Sequence, residues 1–442
     1  MNFNLRSISL YLIYLLPISL ITGPSIPDIS ITLVGILFLI HSFYNKNFFW
    51  IKEYWVKAGI LFWLMLIILS FFSSIKLQSF VESLIFIRYI LLVIALNFWV
   101  IKTKKEFKNL LLIILITLSF IILDCLYQFY GYTSFDGYGS DIFGFSSNSH
   151  SSNFYGRLTG PFNQQVPGSH LSRFLFLALI FFNKYIKQSI FSKIFFFIFI
   201  FSALYITWLS GEAMAIATVF MGIIIYITII NVNKKTFFLA AITFIFLLFM
   251  TTKNHTMFND FTIIESTPYH LGLKIDKEFQ CINDAKRICK KEIVTNPEFK
   301  KVINNFNKSI YYMIYLDGIN MWKDSYFTGI GLSNYEDICL QENFTRSTKM
   351  NYGKCSSHPH NFYLQWLVET GIIGLFFFLF FVFFIYKKIF SNFSDSNVRL
   401  GFITLMIVFW PIMSTGSLLK NWYGIEFFFV IGLSILTTKK LS

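Results

Sequence analysis

The sequence predicts an all-α integral membrane protein of about twelve transmembrane helices, with a large loop domain on the outer side between the ninth and tenth. Three observations carry this. Of 442 residues, 55% are hydrophobic and 14% charged, with a mean hydropathy of +0.60, whereas soluble domains are about 25% charged. The apolar residues gather into runs of membrane-spanning length, and the basic residues alternate from one connecting segment to the next. The 57 phenylalanines exclude low-complexity disorder, which has few aromatics and high charge.

A helix crossing the hydrocarbon needs about 20 mostly apolar residues, and shorter runs serve where flanking groups snorkel. Such runs fall at roughly 7–22, 29–42, 57–73, 80–100, 108–130, 169–183, 191–208, 212–231, 236–251, 364–386, 398–413 and 424–438. No Ala-x-Ala cleavage site follows the first, and a second run comes soon after, so the first reads as a retained span rather than a signal peptide. The chain divides into 1–251 (spans one to nine, with an outer loop at 131–168), 252–361 (the large outer loop) and 362–442 (spans ten to twelve).

With the N-terminus inside, the short inner segments carry 18 Lys and Arg, and the short outer ones carry 3: Lys76, Arg157 and Lys420. This asymmetry is the positive-inside pattern and predicts an even number of spans with both termini cytoplasmic. It also accounts for the net charge of +14, since residues 252–361 hold 14 basic against 12 acidic residues. The excess is topological, and nucleic acid is not an expected partner.

The 131–168 segment is rich in Gly, Ser, Asn and aromatics and reads as an irregular loop. The 252–361 segment has mixed composition, and Ile310 to Trp322 could form an amphipathic helix on or near the bilayer. No internal repeat is evident, which argues against the repeat-built transporters. Cys281, Cys289, Cys339 and Cys355 fall in this loop, where an oxidising compartment permits disulfides. Of three pairings, Cys281 with Cys289 and Cys339 with Cys355 is the expected one.

Ionisable groups at membrane depth are costly, so each needs a partner or a task. Arg88 lies roughly 12 Å and Asp124 roughly 9 Å in from the outer ends of their spans, at 1.5 Å per residue. Gln128 follows on the same span as Asp124, and Arg173, Glu212, Glu369 and Glu426 occupy the first turns of spans that begin outside. All lie in the outer half. A channel or proton relay would run charge through the whole thickness; a site opening only outward would look like this. An ion pair between Arg88 and Asp124 is the plain structural alternative, and Arg173 and Glu212 could be snorkelling interface residues.

The clearest local signal is Ser356-Ser357-His358-Pro359-His360-Asn361, which runs through Glu369, Gly371 and Gly374 into span ten. Asn361 suits a helix N-cap, and Gly371 with Gly374 would admit a neighbouring helix. His360 would then stand at a helix N-terminus, whose partial positive charge suits an anion such as diphosphate. His-x-His without nearby carboxylates is a weak metal site, and neither metal nor cofactor is expected.

This stretch resembles the O-antigen ligase and polymerase superfamily, whose hallmark is His, then Asn, Ser or Gln, nine residues, Gly, two residues and Gly. Here that is His360-Asn361, Gly371 and Gly374, without departure. Arg157 to Phe162 and Gly168 to Arg173 are similar to the segment entering the family's next membrane helix. Trp322 through Gly329-Ile330-Gly331 to Asn334 resembles its outer-loop turn. The chain departs at Ala213, where relatives commonly carry arginine after the acid matched by Glu212. Either other cations hold the diphosphate, or the chain is altered there.

The resemblance implies a GT-C-like fold and metal-independent, inverting glycosyl transfer on the periplasmic face of the bacterial inner membrane. The donor would be an undecaprenyl-diphosphate-linked glycan. The acceptor would be a sugar hydroxyl of lipid A–core (an O-antigen ligase) or a second lipid-linked repeat (an O-antigen polymerase). Arginine binds phosphate oxygens bidentately, which points to Arg157 and Arg173 for the diphosphate, with Glu212 orienting an arginine or serving as base. His360 would be base or phosphate donor. Arg88, Asn361, His358, Asp124 and Gln128 complete the substrate-binding candidates. A ligase is the favoured reading over a polymerase. A transporter or flippase of lipid-linked sugars would need charge in both halves of the membrane, and a non-enzymatic scaffold would leave the His-Asn motif without a task.

Overall fold

The computed structural model describes residues 5–131, 139–144, 158–162, 167–186, 189–230, 233–254, four short strands between 262 and 291, Phe306, and residues 310–341, 356–412 and 416–441. Each of the twelve apolar runs is helical. They form α1 (Leu5–Thr22), α2 (Ser25–Tyr44), α3 (Tyr54–Ser70), α4 (Lys76–Ile85) with α5 (Ile87–Ala95), α6 (Lys104–Tyr130), α7 (Gly168–Tyr185), α8 (Ile190–Leu209), α9 (Ala213–Ile229) and α10 (Lys234–Asn254). After α11 (Ile310–Asp324) and α12 (Tyr335–Cys339) come α13 (Phe362–Phe390), α14 (Ser396–Val408) and α15 (Asn421–Leu436).

Among the described residues, six helices are long and apolar enough to cross a membrane: α1, α2, the continuous stretch Lys76–Val100, α6, α8 and α13. The shorter helices α3, α9, α14 and α15 are apolar as well. The protein is therefore a multi-pass membrane protein. Its helical character is interrupted, among the described residues, by two short antiparallel pairs in the long segment before α11. These join β1 (Thr262–Ile263) to β4 (Lys290–Lys291) and β2 (Ile282–Asp284) to β3 (Lys286–Ile288).

The chain forms two compact units, residues 1–110 with 299–442, and residues 111–298. In the first unit, α3 packs along α13, α5 against α15 and α2, and α11 against α13. Aromatic rings fill the centre: Phe62 meets Trp366 edge-on at 5.1 Å between centroids, and Tyr89 stacks on Phe428 at 5.3 Å. Such contacts add about 0.5–1.5 kcal/mol each beyond the area they bury. Gly59 brings α3 within reach of Phe381 on α13, since a Cβ there would lie 3.0 Å from that ring.

The 29 residues of α13 span roughly 40 Å at 1.5 Å per residue, so its ends are well separated. At the Lys388 end, Lys388 pairs with Glu53 at 3.0 Å. Arg6 pairs with Glu106 and donates to the Trp99 and Val100 carbonyls at 3.0 and 3.1 Å. The His360 end is described below.

In the second unit, α7 packs against α8 and α9, and α8 against α10. Phe182 is ringed by Phe195, Phe196 and Phe199, and Phe201 stacks on Phe244 at 4.7 Å.

The helix expected at Ile310 to Trp322 is α11. It packs on α13 rather than standing alone: Ile314 and Met321 share a core with Ile338 and Val368, and Tyr335 Oη donates to the Ile314 carbonyl at 3.0 Å. Burial pushes the Tyr335 phenol well above its ordinary range, so it stays a neutral donor. Cys339 is disulfide-bonded, while Cys281, Cys289 and Cys355 lie outside the described residues.

Candidate active site

The histidine segment is built on a break in α13. Asn361 caps the helix, its side chain accepting from Leu364 N at 3.1 Å and donating to Pro411 O at 2.8 Å. Two and a half turns on, Gly371 adopts φ 65 and ψ −170 inside the helix. A side chain there would be strained, and a Cβ would lie 2.2 Å from Phe327 O. The break exposes backbone groups that a straight helix would satisfy internally. Val368 O and Glu369 O accept from Ile330 N and Gly331 N at 3.0 and 2.9 Å, and Ile372 N and Ile373 N donate to Tyr326 O and Phe327 O at 3.0 and 3.3 Å. The loop from Trp322 to Asn334 is thereby stitched into the helix.

This corrects the reading of Gly371 and Gly374 as a surface for a neighbouring helix. Gly371 admits a loop. Gly374 makes room mainly for its own Thr370, whose hydroxyl a Cβ would meet at 2.0 Å, with Leu69 of α3 at 3.3 Å. Gly329 mirrors Gly371, since its Cβ would lie 2.4 Å from Thr370 N. The loop is also held from α3–α4: Asn334 Nδ2 donates to Ser73 Oγ at 2.7 Å, Leu332 N to Ser79 Oγ at 2.9 Å, and Gln78 Nε2 to Ser333 O at 2.9 Å.

His360 stands immediately before the cap with φ 52, the left-handed region that a residue with a Cβ seldom occupies. Its ring lies 4.2 Å from that of His358 and edge-on to Tyr311 at 5.6 Å, between centroids. Tyr315 lies beside Asn361; burial raises its phenol pKa, and the hydrogen bond with Asn361 pulls it part of the way back. His358 is buried and its Nδ1 lies 3.1 Å from Ser357 Oγ, which also accepts from Lys420 Nζ at 2.8 Å. Ser356 Oγ donates to His358 O at 2.7 Å. Strained backbone of this kind persists where surrounding contacts over-determine it, and it concentrates at functional sites.

Arg88 lies near α15. One guanidinium nitrogen donates to Asn421 Oδ1 at 2.7 Å and to Tyr89 Oη at 3.2 Å, and the other pairs with Asp28 at 3.3 Å. Its acid is thus on α2, at a position just before the span drawn from the sequence. Glu369 is buried with Gln365, whose Nε2 reaches Ser417 Oγ at 2.8 Å and Glu369 at 3.3 Å.

The other candidates belong to the second unit. Asp124 accepts from Ile142 N at 2.7 Å. Gln128 clamps the backbone that enters α7: its Oε1 accepts from Thr159 N at 2.9 Å and Gly160 N at 2.8 Å. Gly160 is required there, because a Cβ would lie 2.4 Å from Cys125 Sγ. Glu212 holds the first turn of α7, accepting from Ser169 N and Ser169 Oγ, both at 2.6 Å. A carboxylate at a helix N-terminus is favourable by dipole as well as by hydrogen bond. Arg173 is buried one turn further along α7. Arg157 lies outside the described residues.

The first unit thus gathers His358, His360, Asn361 and Arg88 around the starts of α13 and α15. Three members of this neighbourhood were not singled out as site residues: Asp28, Ser357 and Lys420. Asp28 fell one residue before the drawn span, and Lys420 was counted as one of three outer basic residues. Among the described residues, no group of three or more His, Cys, Asp or Glu could hold a metal ion.

Fold and site together define a multi-pass membrane protein with a histidine pair fixed at the capped start of a broken apolar helix. Residues 195–379, about two fifths of the chain, match the family model described as O-antigen ligase. The match supports membership of the O-antigen ligase and polymerase superfamily, and so points to a membrane glycosyltransferase of that type with lipid-linked glycan substrates. It covers the histidine motif, the loop that enters the helix break, and Glu212; Arg157 and Arg173 precede it. No curated relative matches the chain.

Proposed function

We propose that this protein is an O-antigen ligase. It moves a glycan from undecaprenyl diphosphate to a sugar hydroxyl of lipid A–core, at the periplasmic face of the bacterial inner membrane, with both termini cytoplasmic. The observation that carries the reading is His360: a histidine in left-handed backbone, one residue before a helix cap, within a segment whose sequence and family match agree.

In the proposed reaction His360 takes the proton from the acceptor hydroxyl as that oxygen attacks the anomeric carbon. The bond to the diphosphate oxygen breaks on the opposite face, inverting the configuration without a metal. Arg88, in the same unit as His360, stabilises the departing diphosphate. Glu212, by holding Ser169, positions the turn that carries Arg173, and Gln128 and Asp124 position the loop before it. Asn361 fixes the histidine segment.

The test is transfer by the purified protein from a lipid-diphosphate glycan to lipid A–core, without divalent metal. Glycan appearing on lipid A–core supports the ligase. In a strain lacking the chain, full-length glycan stranded on the carrier lipid supports it as well. Single repeats capped on lipid A would instead identify a polymerase joining lipid-linked repeats.

A further inference from the structure

We propose that Lys57, Lys387 and Tyr54 hold the headgroup of an anionic phospholipid, whose acyl chains lie along exposed apolar stripes of α3 and α13. The site stands at the end of α13 remote from the histidine segment. Lys387 is roughly 40 Å from His360 along the helix, at 1.5 Å per residue. It is therefore separate from the glycosyl-transfer reading and does not rest on it.

Two helices bring a lysine to one ring. Lys57 Nζ of α3 lies 5.6 Å from the centroid of the Tyr54 ring, and Lys387 Nζ of α13 lies 5.5 Å from it. The two ammoniums are thus at most about 11 Å apart. Lys387 is also 5.6 Å from the ring of Phe384, which stacks on Tyr54 at 5.9 Å. Cation–π attraction places an ammonium without neutralising it. Glu53, one turn before Lys57, is engaged by Lys388 at 3.0 Å, and among the described residues neither Lys57 nor Lys387 is in an ion pair. Both lysines and Tyr54 are exposed. Like charges gathered on one ring repel, and a phosphate shared between them relieves the repulsion. The Tyr54 hydroxyl, which makes no hydrogen bond among the described residues, adds a donor at the same place.

The surface that leads away from the lysines suits acyl chains. On α3, Leu61, Leu64 and Ile68 follow Tyr54 and Lys57 at intervals of three or four residues, so all share one face, and all are exposed. On α13, Phe384, Phe380 and Phe376 form a ladder of rings, 4.8 and 6.3 Å between successive centroids, and each is at least partly exposed. Since α3 packs along α13, both stripes start from the Tyr54–Phe384 contact. Tyr54 to Ile68 covers about 21 Å at 1.5 Å per residue, more than the 15 Å or so of hydrocarbon in one leaflet. A paired cation continuous with an apolar track one leaflet deep fits a lipid rather than a soluble anion. Its charge favours a headgroup that is net negative over one that carries a cation of its own.

The experiment measures lipid retention by the purified full chain in a neutral detergent, read by native mass spectrometry, with three probes. These are phosphatidylglycerol, phosphatidylcholine of the same acyl chains, and glycerol 3-phosphate, which has the phosphate without the chains. Phosphatidylglycerol is expected to bind about twentyfold tighter than phosphatidylcholine, at about fivefold per lysine, with no binding of glycerol 3-phosphate in the same range. Lys57→Gln with Lys387→Gln should remove that preference. Lys57→Arg with Lys387→Arg should keep it to within about threefold, since the charges return. The wild type gives a second readout should the glutamine variant misfold. Phosphatidylglycerol should protect Lys57 and Lys387 from acetylation more than the exposed Lys105 of α6, and phosphatidylcholine should protect none of them. An unchanged preference in the folded glutamine variant overturns the proposal. So does equal retention of the two lipids, glycerol 3-phosphate binding as tightly as phosphatidylglycerol, or equal protection of all three lysines.

Discussion

Two stretches of this molecule hold irregular backbone against a long helix, α13 in one unit and α7 in the other, and they do it by opposite means. Around α13, main chain holds main chain: Gly371 breaks the helix, Gly329 lets the loop approach, and four backbone hydrogen bonds close the gap. Around α7, side chains hold main chain: Gln128 grips Thr159 and Gly160, and Glu212 grips Ser169. Both satisfy polar groups that would otherwise cost several kcal/mol each in an apolar setting. The first device depends on the absence of a side chain and the second on the presence of one. Substitution should therefore hurt them in different ways.

The largest expected loss is at the break. Gly371→Ala places a Cβ 2.2 Å from Phe327 O in a backbone conformation that L residues avoid. Strain there costs about 1–3 kcal/mol, and displacing the loop puts four hydrogen bonds of roughly 1 kcal/mol each at risk. The variant should lose most of its thermal unfolding transition in detergent. A near-native melting temperature would mean that loop and helix are not coupled as described.

Next is Gln128→Ala, which strips the acceptor from two buried amides at about 1–3 kcal/mol each. Its melting temperature should fall clearly, and proteolysis should increase within 131–168 rather than near 322–334. Cleavage spread evenly over both segments would remove the distinction between the two devices. Glu212→Gln is milder, at about 1 kcal/mol, because an amide keeps one acceptor and loses the charge that favours the helix start. The smallest is Asn361→Ala, about 1 kcal/mol or less for a lost cap, read as a small shift in melting temperature. A loss larger than that of Gln128→Ala would reverse the ranking.

The same contrast explains what was legible from the sequence. All twelve apolar runs are helices, because hydropathy over about 20 residues is a local property of the chain. The histidine motif was legible too, since its glycines and cap stand at fixed spacing. Their purpose was not. Gly371 and Gly374 read as helix-packing glycines because the loop that fills the break arrives from about 40 residues upstream, at Tyr326 to Gly331. The partners that the 131–168 loop gives Asp124 and Gln128, namely Ile142, Thr159 and Gly160, were not legible, because that loop has no periodicity to place it. The acid that pairs with Arg88, Asp28, belongs to a helix that starts earlier than its apolar run. Lys420 was visible only as a loop charge, since its hydrogen-bond partner, Ser357, is 63 residues away.

The measurement that tests the central claim most directly is glycan transfer by His360→Ala, assayed with purified protein at matched amount beside the wild type. Loss of a general base slows reactions by about 10²–10⁴-fold, and His360 leaves the helix cap and the Gly371 break to other residues. The account predicts a loss of that size with an unchanged melting temperature. Wild-type transfer by the folded variant would contradict it.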